Sequence, residues 1–198
     1  MKASSGAERR AAPLRIGMIA DPYLPVPPEN YGGIERVIAM LVSGLVRRGH
    51  QVTLFAAPGS KVDCHLVSYG APPHFSFAAR LRELLQVGFG LAQRVREFDV
   101  VHSFGRLAAL LPILRIRLPK IQSYQREITR RSIEGGVRWS RGSLLFTSCS
   151  DSLRRKVSDV GRWETVYNGA PAERCFRDNA VAKPTRVIAN NASATPRN

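Results

Sequence analysis

A doubly wound α/β domain, Rossmann-like, with a parallel sheet covered by helices on both faces, is the fold this sequence predicts. Three observations carry the prediction. Short apolar runs recur along the chain without polar alternation, as strands buried on both faces require. Between them lie segments whose apolar residues step by three and four, the spacing of a helix packed on one side. The two patterns alternate from residue 14 to about residue 169, as crossover units of a parallel sheet must.

The first run, "LRIGMIA" at 14–20, stops at Asp21-Pro22, and prolines at 25, 27 and 28 keep the following loop out of helix. From Ile34 the apolar positions fall at 34, 37, 38, 41 and 45, and Gly49 after the basic pair Arg47-Arg48 marks the helix end. "QVTLFAA", 51–57, is the second strand. Phe77, Leu81, Leu84, Gly88, Leu91, Val95 and Phe98 step along a second helix that hands over to the strand "DVVHS", 99–103. "LAALLPILRIRL", 107–118, predicts a short helix interrupted at Pro112, because an interior proline removes a hydrogen bond and clashes with the preceding turn. "KIQSYQ", 120–125, and "SLLFTSCS", 143–150, are further strands; Ser150 or Asp151 then caps a helix through "SLRRKVSDV", and "ETVYN" is a last short strand reaching Asn168-Gly169. Residues 1–13 are expected to be a disordered leader, 14–176 the domain, and 177–198 a poorly ordered tail with little apolar content.

Lys and Arg number 30 against 15 acidic residues, a formal charge of +15, which favours anionic partners. No basic run interleaved with aromatics suggests a nucleic-acid groove, so nucleic acid is not expected. Cys64, Cys149 and Cys175 are odd in number and in no paired motif, indicating neither a disulfide framework nor a zinc site, so no metal is expected. The N-terminal residues lack the apolar core of a signal peptide, and no stretch reaches the roughly 18 apolar residues of a membrane span. The expectation is a cytoplasmic chain, with any membrane contact peripheral at the inner face.

The segment "PENYGGIERV", 28–37, sets two glycines directly before the first long helix. Such a pair serves either a turn with positive φ or a backbone that something must approach closely. Free amides and the positive end of a helix dipole lie there, so a phosphate or sugar hydroxyl could be held over Gly32 and Gly33. It is neither a G-x-G-x-x-G fingerprint nor a phosphate-loop lysine motif, which weakens a nicotinamide-dinucleotide reading; "GFGLAQ", 88–93, lies mid-helix and lacks the third glycine.

The stretch 15–60, with "FDVVHSFGRLAALLPIL" at 98–114, "KIQSYQR" at 120–126, "LLFTSCSDSLRR" at 144–155 and "TVYNGAP" at 165–171, resembles the N-terminal domain of family 4 glycosyltransferases. That resemblance implies half of the two-domain GT-B architecture and retaining transfer of a sugar from a nucleotide-sugar to an acceptor, carbohydrate or lipid-linked. It implies no metal or other cofactor. Carried over, the acceptor and phosphate candidates are Tyr31, Gly32, Gly33, Glu35, Arg106 and Arg126. His102 and Gln125 are the catalytic candidates, and Asn168-Gly169 the interdomain turn. Many members have a histidine where this chain has Gln125, and glutamine cannot titrate near neutrality, which puts an acid or base role there in doubt. The family's C-terminal donor domain, with its diphosphate-binding basic residue and glutamate pair, has no counterpart in residues 172–198. The expectation is therefore a truncated transferase, weakly active or inactive alone. The alternative is a non-catalytic module docking to a protein or an anionic membrane.

Overall fold

The computed structural model describes residues 12–70 and 77–169. The expected order of the leader and of the tail, together with Ala170, Pro171 and Cys175, lies outside these residues save for Ala12 and Pro13. Seven strands, β1 Arg15–Ile19, β2 Gln51–Ala56, β3 His65–Ser68, β4 Val100–Ser103, β5 Lys120–Tyr124, β6 Leu144–Ser148 and β7 Trp163–Thr165, form one sheet. Its order is β3-β2-β1-β4-β5-β6-β7 and every pairing is parallel. The order reverses between β1 and β4, the switch point at which such sheets open a crevice at the carboxyl ends of their strands.

Helices α1 Gly33–Arg47, α2 Phe77–Gln93, α3 Arg130–Ser140 and α4 Asp151–Arg154 complete the described elements, with 3₁₀ turns at Val95–Glu97 and Leu107–Ile113. The two sheet faces feed separate cores. Ile16, Met18, Ala20, Val52, Leu54 and Ala56 meet Ile38 and Val42 of α1. Alternate positions Ile19, Phe55, Val101, Leu144 and Phe146 meet Val87 and Leu91 of α2 and Ile133 of α3. Strand residues thus bury both faces, which is why they read as unbroken apolar runs. As Gly49 predicts, α1 ends in a left-handed glycine, φ 88°: its N–H bonds Val46 O at 2.9 Å and that of His50 bonds Leu45 O at 3.1 Å. Among the described residues no helix is long and apolar enough to cross a membrane.

Four local expectations are corrected. Residues 107–113 form a 3₁₀ turn in place of an interrupted α-helix, since Pro112 supplies no N–H for an α-helical bond. The helix after Ser150 lasts only to Arg154, because Val157 and Val160 bond carbonyls three residues back and tighten the chain into turns. Phe77 and Leu81 point outward, so the stepping of apolar residues along α2 mixes a buried side, Val87 and Leu91, with an exposed one. Strand β3 and helix α3 have no counterpart in the sequence reading. In α3 the pair Gly135-Gly136 hides the helix. Gly136 is needed for close packing, since a Cβ there would stand 3.0 Å from Leu107 and 3.3 Å from Leu144.

Candidate functional site

The candidate residues gather at the carboxyl edge of the sheet, in the loops after β1, β4, β5 and β7. The loop after β1 runs through Asp21 and Tyr23 to the glycine pair, and the structure gives the two glycines different duties. Gly32 is buried, caps α1 and has φ 150°; a Cβ there would lie 2.8 Å from both the Pro28 ring and the Glu35 carboxylate. Only a residue without a Cβ fits this backbone. Gly33 is exposed, has no unusual φ, and a Cβ on it would meet nothing within 4 Å. No side chain caps the α1 N-terminus, whose first bond is from Arg36 N–H to Gly32 O at 3.2 Å. The amides of the first turn are therefore left without a side-chain cap, at the positive end of a 15-residue helix. Glu35 is buried in that turn, and Tyr31 is 87% exposed.

Strand β4 delivers His102, and the loop beyond it Arg106. The His102 ring packs on Phe104 at 4.4 Å between centroids, and Nε2 shares a hydrogen bond of 2.7 Å with Ser123 Oγ, which in turn meets Thr147 Oγ1 at 2.6 Å. Burial pushes the imidazole down to about 4, so at neutral pH it is an uncharged hydrogen-bonding group. Gln122 Nε2 donates to Gly105 O at 2.8 Å and so pins the loop that carries Arg106. Arg106 Nη2 donates to the Tyr23 hydroxyl at 3.3 Å, with its guanidinium 5.9 Å from the ring centroid. Tyr23 donates in turn to Glu83 Oε2 of α2 at 3.3 Å, and Tyr69 donates its buried hydroxyl to Ala20 O. Asp21, Tyr23, Tyr69, Glu83 and Arg106 line one crevice beside the switch point.

Two contacts join further candidates. Arg126 Nη2 stands 3.7 Å from Asp21 Oδ2, and Asn168 Nδ2 donates to Gln125 Oε1 at 2.8 Å across 43 positions of sequence. The second ties the turn after β7 to the end of β5. Among the described residues His102 makes no hydrogen bond to another candidate, and Gly169 is exposed at the limit of those residues. Sequence reasoning missed Asp21, Tyr23, Tyr69, Glu83 and Gln122. For Asp21 a signal existed, as the first polar residue beyond the first apolar run; Glu83 lies on an element 60 positions from Tyr23 and carries none.

Burial raises the Asp21 carboxyl above its ordinary range, while Arg126 first and Arg106 second draw it back down. Arg126→Gln is therefore expected to raise the Asp21 carboxyl further, and by more than Arg106→Gln, as read from the carboxyl carbon shift across an NMR titration. An unchanged midpoint in Arg126→Gln would show that the ion pair is too solvated to matter. Among the described residues no group of three His, Cys, Asp or Glu side chains could hold a metal ion.

The arrangement suits a polyhydroxylated, anionic ligand: unpaired amides at a helix start, tyrosine hydroxyls, a partly buried carboxylate and two arginines at one edge. A family model described as Glycosyltransferase Family 4 matches residues 31–174. No curated protein matches the chain. Among solved structures it is similar to one titled "Crystal structure of AviGT4, a glycosyltransferase involved in Avilamycin A biosynthesis". The two share 17% identity and a TM-score of 0.44, and the match covers 82% of this chain and 66% of that one.

Proposed function

This chain belongs to glycosyltransferase family 4, and from that premise we propose that it supplies the acceptor-side wall of a cleft in which a sugar passes from a nucleotide-sugar to an acceptor with retention of configuration. In this reading the α1 amides around Gly33 receive the leaving diphosphate, whose developing charge the helix start and Arg126 stabilise. The crevice at Asp21, Tyr23 and Arg106 receives acceptor hydroxyls. Neutral His102 accepts or donates one hydrogen bond and holds no charge of its own. The donor's nucleoside and the opposite wall belong to a C-terminal domain of the GT-B kind, and turnover requires both walls.

The observation that carries the reading is Gly33. Gly32 is explained by its own backbone, but nothing in the fold requires the second glycine, and its missing Cβ leaves the first-turn amides open to a ligand. Gly33→Ala is accordingly expected to melt at the wild-type temperature or slightly above, since alanine is favoured over glycine in a helix. It is also expected to bind nucleoside diphosphates at least about tenfold more weakly, the loss anticipated when a methyl obstructs charge-assisted amide bonds. Calorimetric titration of the two proteins with a panel of nucleoside diphosphates measures this. Equal affinity would leave Gly33 a neutral turn residue and remove its diphosphate role.

A further inference from the structure

The outer side of the layer made by α2, the Leu107–Ile113 turn and α3 carries a surface that sugar transfer does not use. Phe77, Leu81, Leu85 and Phe89 fall four residues apart on α2 and all face solvent, Phe77 at 82% and Phe89 at 63% exposure. The opposite side of the same helix, through Val87 and Leu91, is fully buried in the core. The helix thus has an apolar side to spare. Gly88 abuts Pro112, whose Cγ would lie 2.8 Å from a Cβ at that glycine, so the 3₁₀ turn with exposed Leu111 continues the same surface. Farther along, Arg115 lies over the half-exposed Trp139 ring, 5.2 Å from its centroid, and Arg138 and Arg141 complete an open groove around it. Half of the exposed large apolar side chains among the described residues sit on this one layer.

Its charge is of one sign. Arg82 flanks the α2 stripe, and Arg115, Arg117, Arg138 and Arg141 are exposed beyond it. The two acidic residues of these elements are withdrawn: Glu83 is buried, and Glu134 pairs with Arg130 at 3.0 Å. Apolar side chains on a helix lying flat on its sheet, an indole and a set of arginines without acids form the pattern of a protein that rests in a bilayer interface.

We propose that this face docks on an anionic lipid bilayer, with Leu81, Leu85 and Phe89 at the boundary of headgroups and acyl chains and the arginines on lipid phosphates. Charge disfavours a second copy of the chain, because an isologous contact would set this arginine-rich face against a face of the same net sign. It does not favour nucleic acid, which would leave the aliphatic stripe in water. The inference is independent of the transferase reading, since it concerns another face of the molecule.

Sedimentation of the full chain with sucrose-loaded vesicles tests it, using phosphatidylcholine alone and phosphatidylcholine with roughly a third phosphatidylglycerol. Binding is expected to the anionic vesicles only, weakening as salt rises. The variant L85S/F89S, whose side chains lie outside the core, is expected to partition at least about tenfold less. R138Q/R141Q is expected to lose about tenfold or more, at roughly one factor of five per arginine. R47Q/R48Q removes the same charge from the far layer and is expected to stay within about twofold of the parent. Absence of binding, equal binding to neutral vesicles, or an equal loss in R47Q/R48Q would overturn the proposal. So would heparin or duplex DNA binding as tightly as vesicles, with L85S/F89S retaining vesicle binding, which would mark a general polyanion surface. A dimer in sedimentation equilibrium that L85S/F89S dissolves, without vesicle binding, would assign the face to a second copy.

Discussion

Gly32→Ala is expected to lower the stability of the domain by about 3 kcal/mol, combining roughly 1–3 kcal/mol of backbone strain with a similar range for overpacking. The position has φ 150° and a buried site, and the new methyl would meet the Pro28 ring and the Glu35 carboxylate at 2.8 Å. A carboxylate can swing away, but the proline ring is held by its own chain, so the loop must move. For a domain of this size the loss corresponds to a melting temperature lower by roughly 10 °C. Differential scanning calorimetry of the variant beside Gly33→Ala separates the two glycines, since the neighbour is expected to cause no such drop. A Gly32→Ala protein within about 0.5 kcal/mol of the parent would show that the loop relaxes freely and that its geometry is not specified by the glycine.

The second large effect is on acidification. His102 titrates near 4 in the folded chain against about 6.5 for a free imidazole, because burial disfavours the charged ring. The unfolded chain therefore binds more protons between these two values, and stability must rise with pH across that window. Read downward, the contribution is intact above about pH 6.5, falls as pH drops toward 4, and is fully lost below it. The full loss is up to about 3 kcal/mol, an upper bound because one edge of the ring stays near solvent. Urea unfolding at a series of pH values measures it, and His102→Gln, which keeps a hydrogen-bonding group toward Ser123, is expected to flatten the curve between pH 4 and 6.5. A slope in that window identical to the parent's would assign the acid sensitivity to groups other than His102; Asp21 is not one of them, because its raised carboxyl contributes with the opposite sign.

The candidate site divides along the same line as these two predictions. The pattern "ENYGGIERV" marked the place, since a glycine pair at a helix start has few uses, and the resemblance to family 4 assigned it a ligand. That the two glycines are unequal was not legible, because φ and the distance to Pro28 exist only once the loop is folded. The pairing of Gln125 with Asn168 and of Arg126 with Asp21 was likewise invisible. Each joins loops that follow different strands, and nothing in either segment alone encodes the partner.

The sequence by itself determined the order of the main strands and helices and the class of the fold, because strands buried on both faces and helices buried on one leave distinct apolar periods in the chain. It also determined where α1 stops, through the glycine that a left-handed cap requires. The tertiary structure alone decided what depends on contact. It set the strand order with its switch between β1 and β4, and the burial that keeps His102 neutral. It created α3 around a glycine packed against Leu107 and Leu144, which local propensity opposes. It also chose which apolar side of α2 enters the core and which is left exposed, since a helix with apolar residues on two sides carries no local signal of which one a sheet will cover.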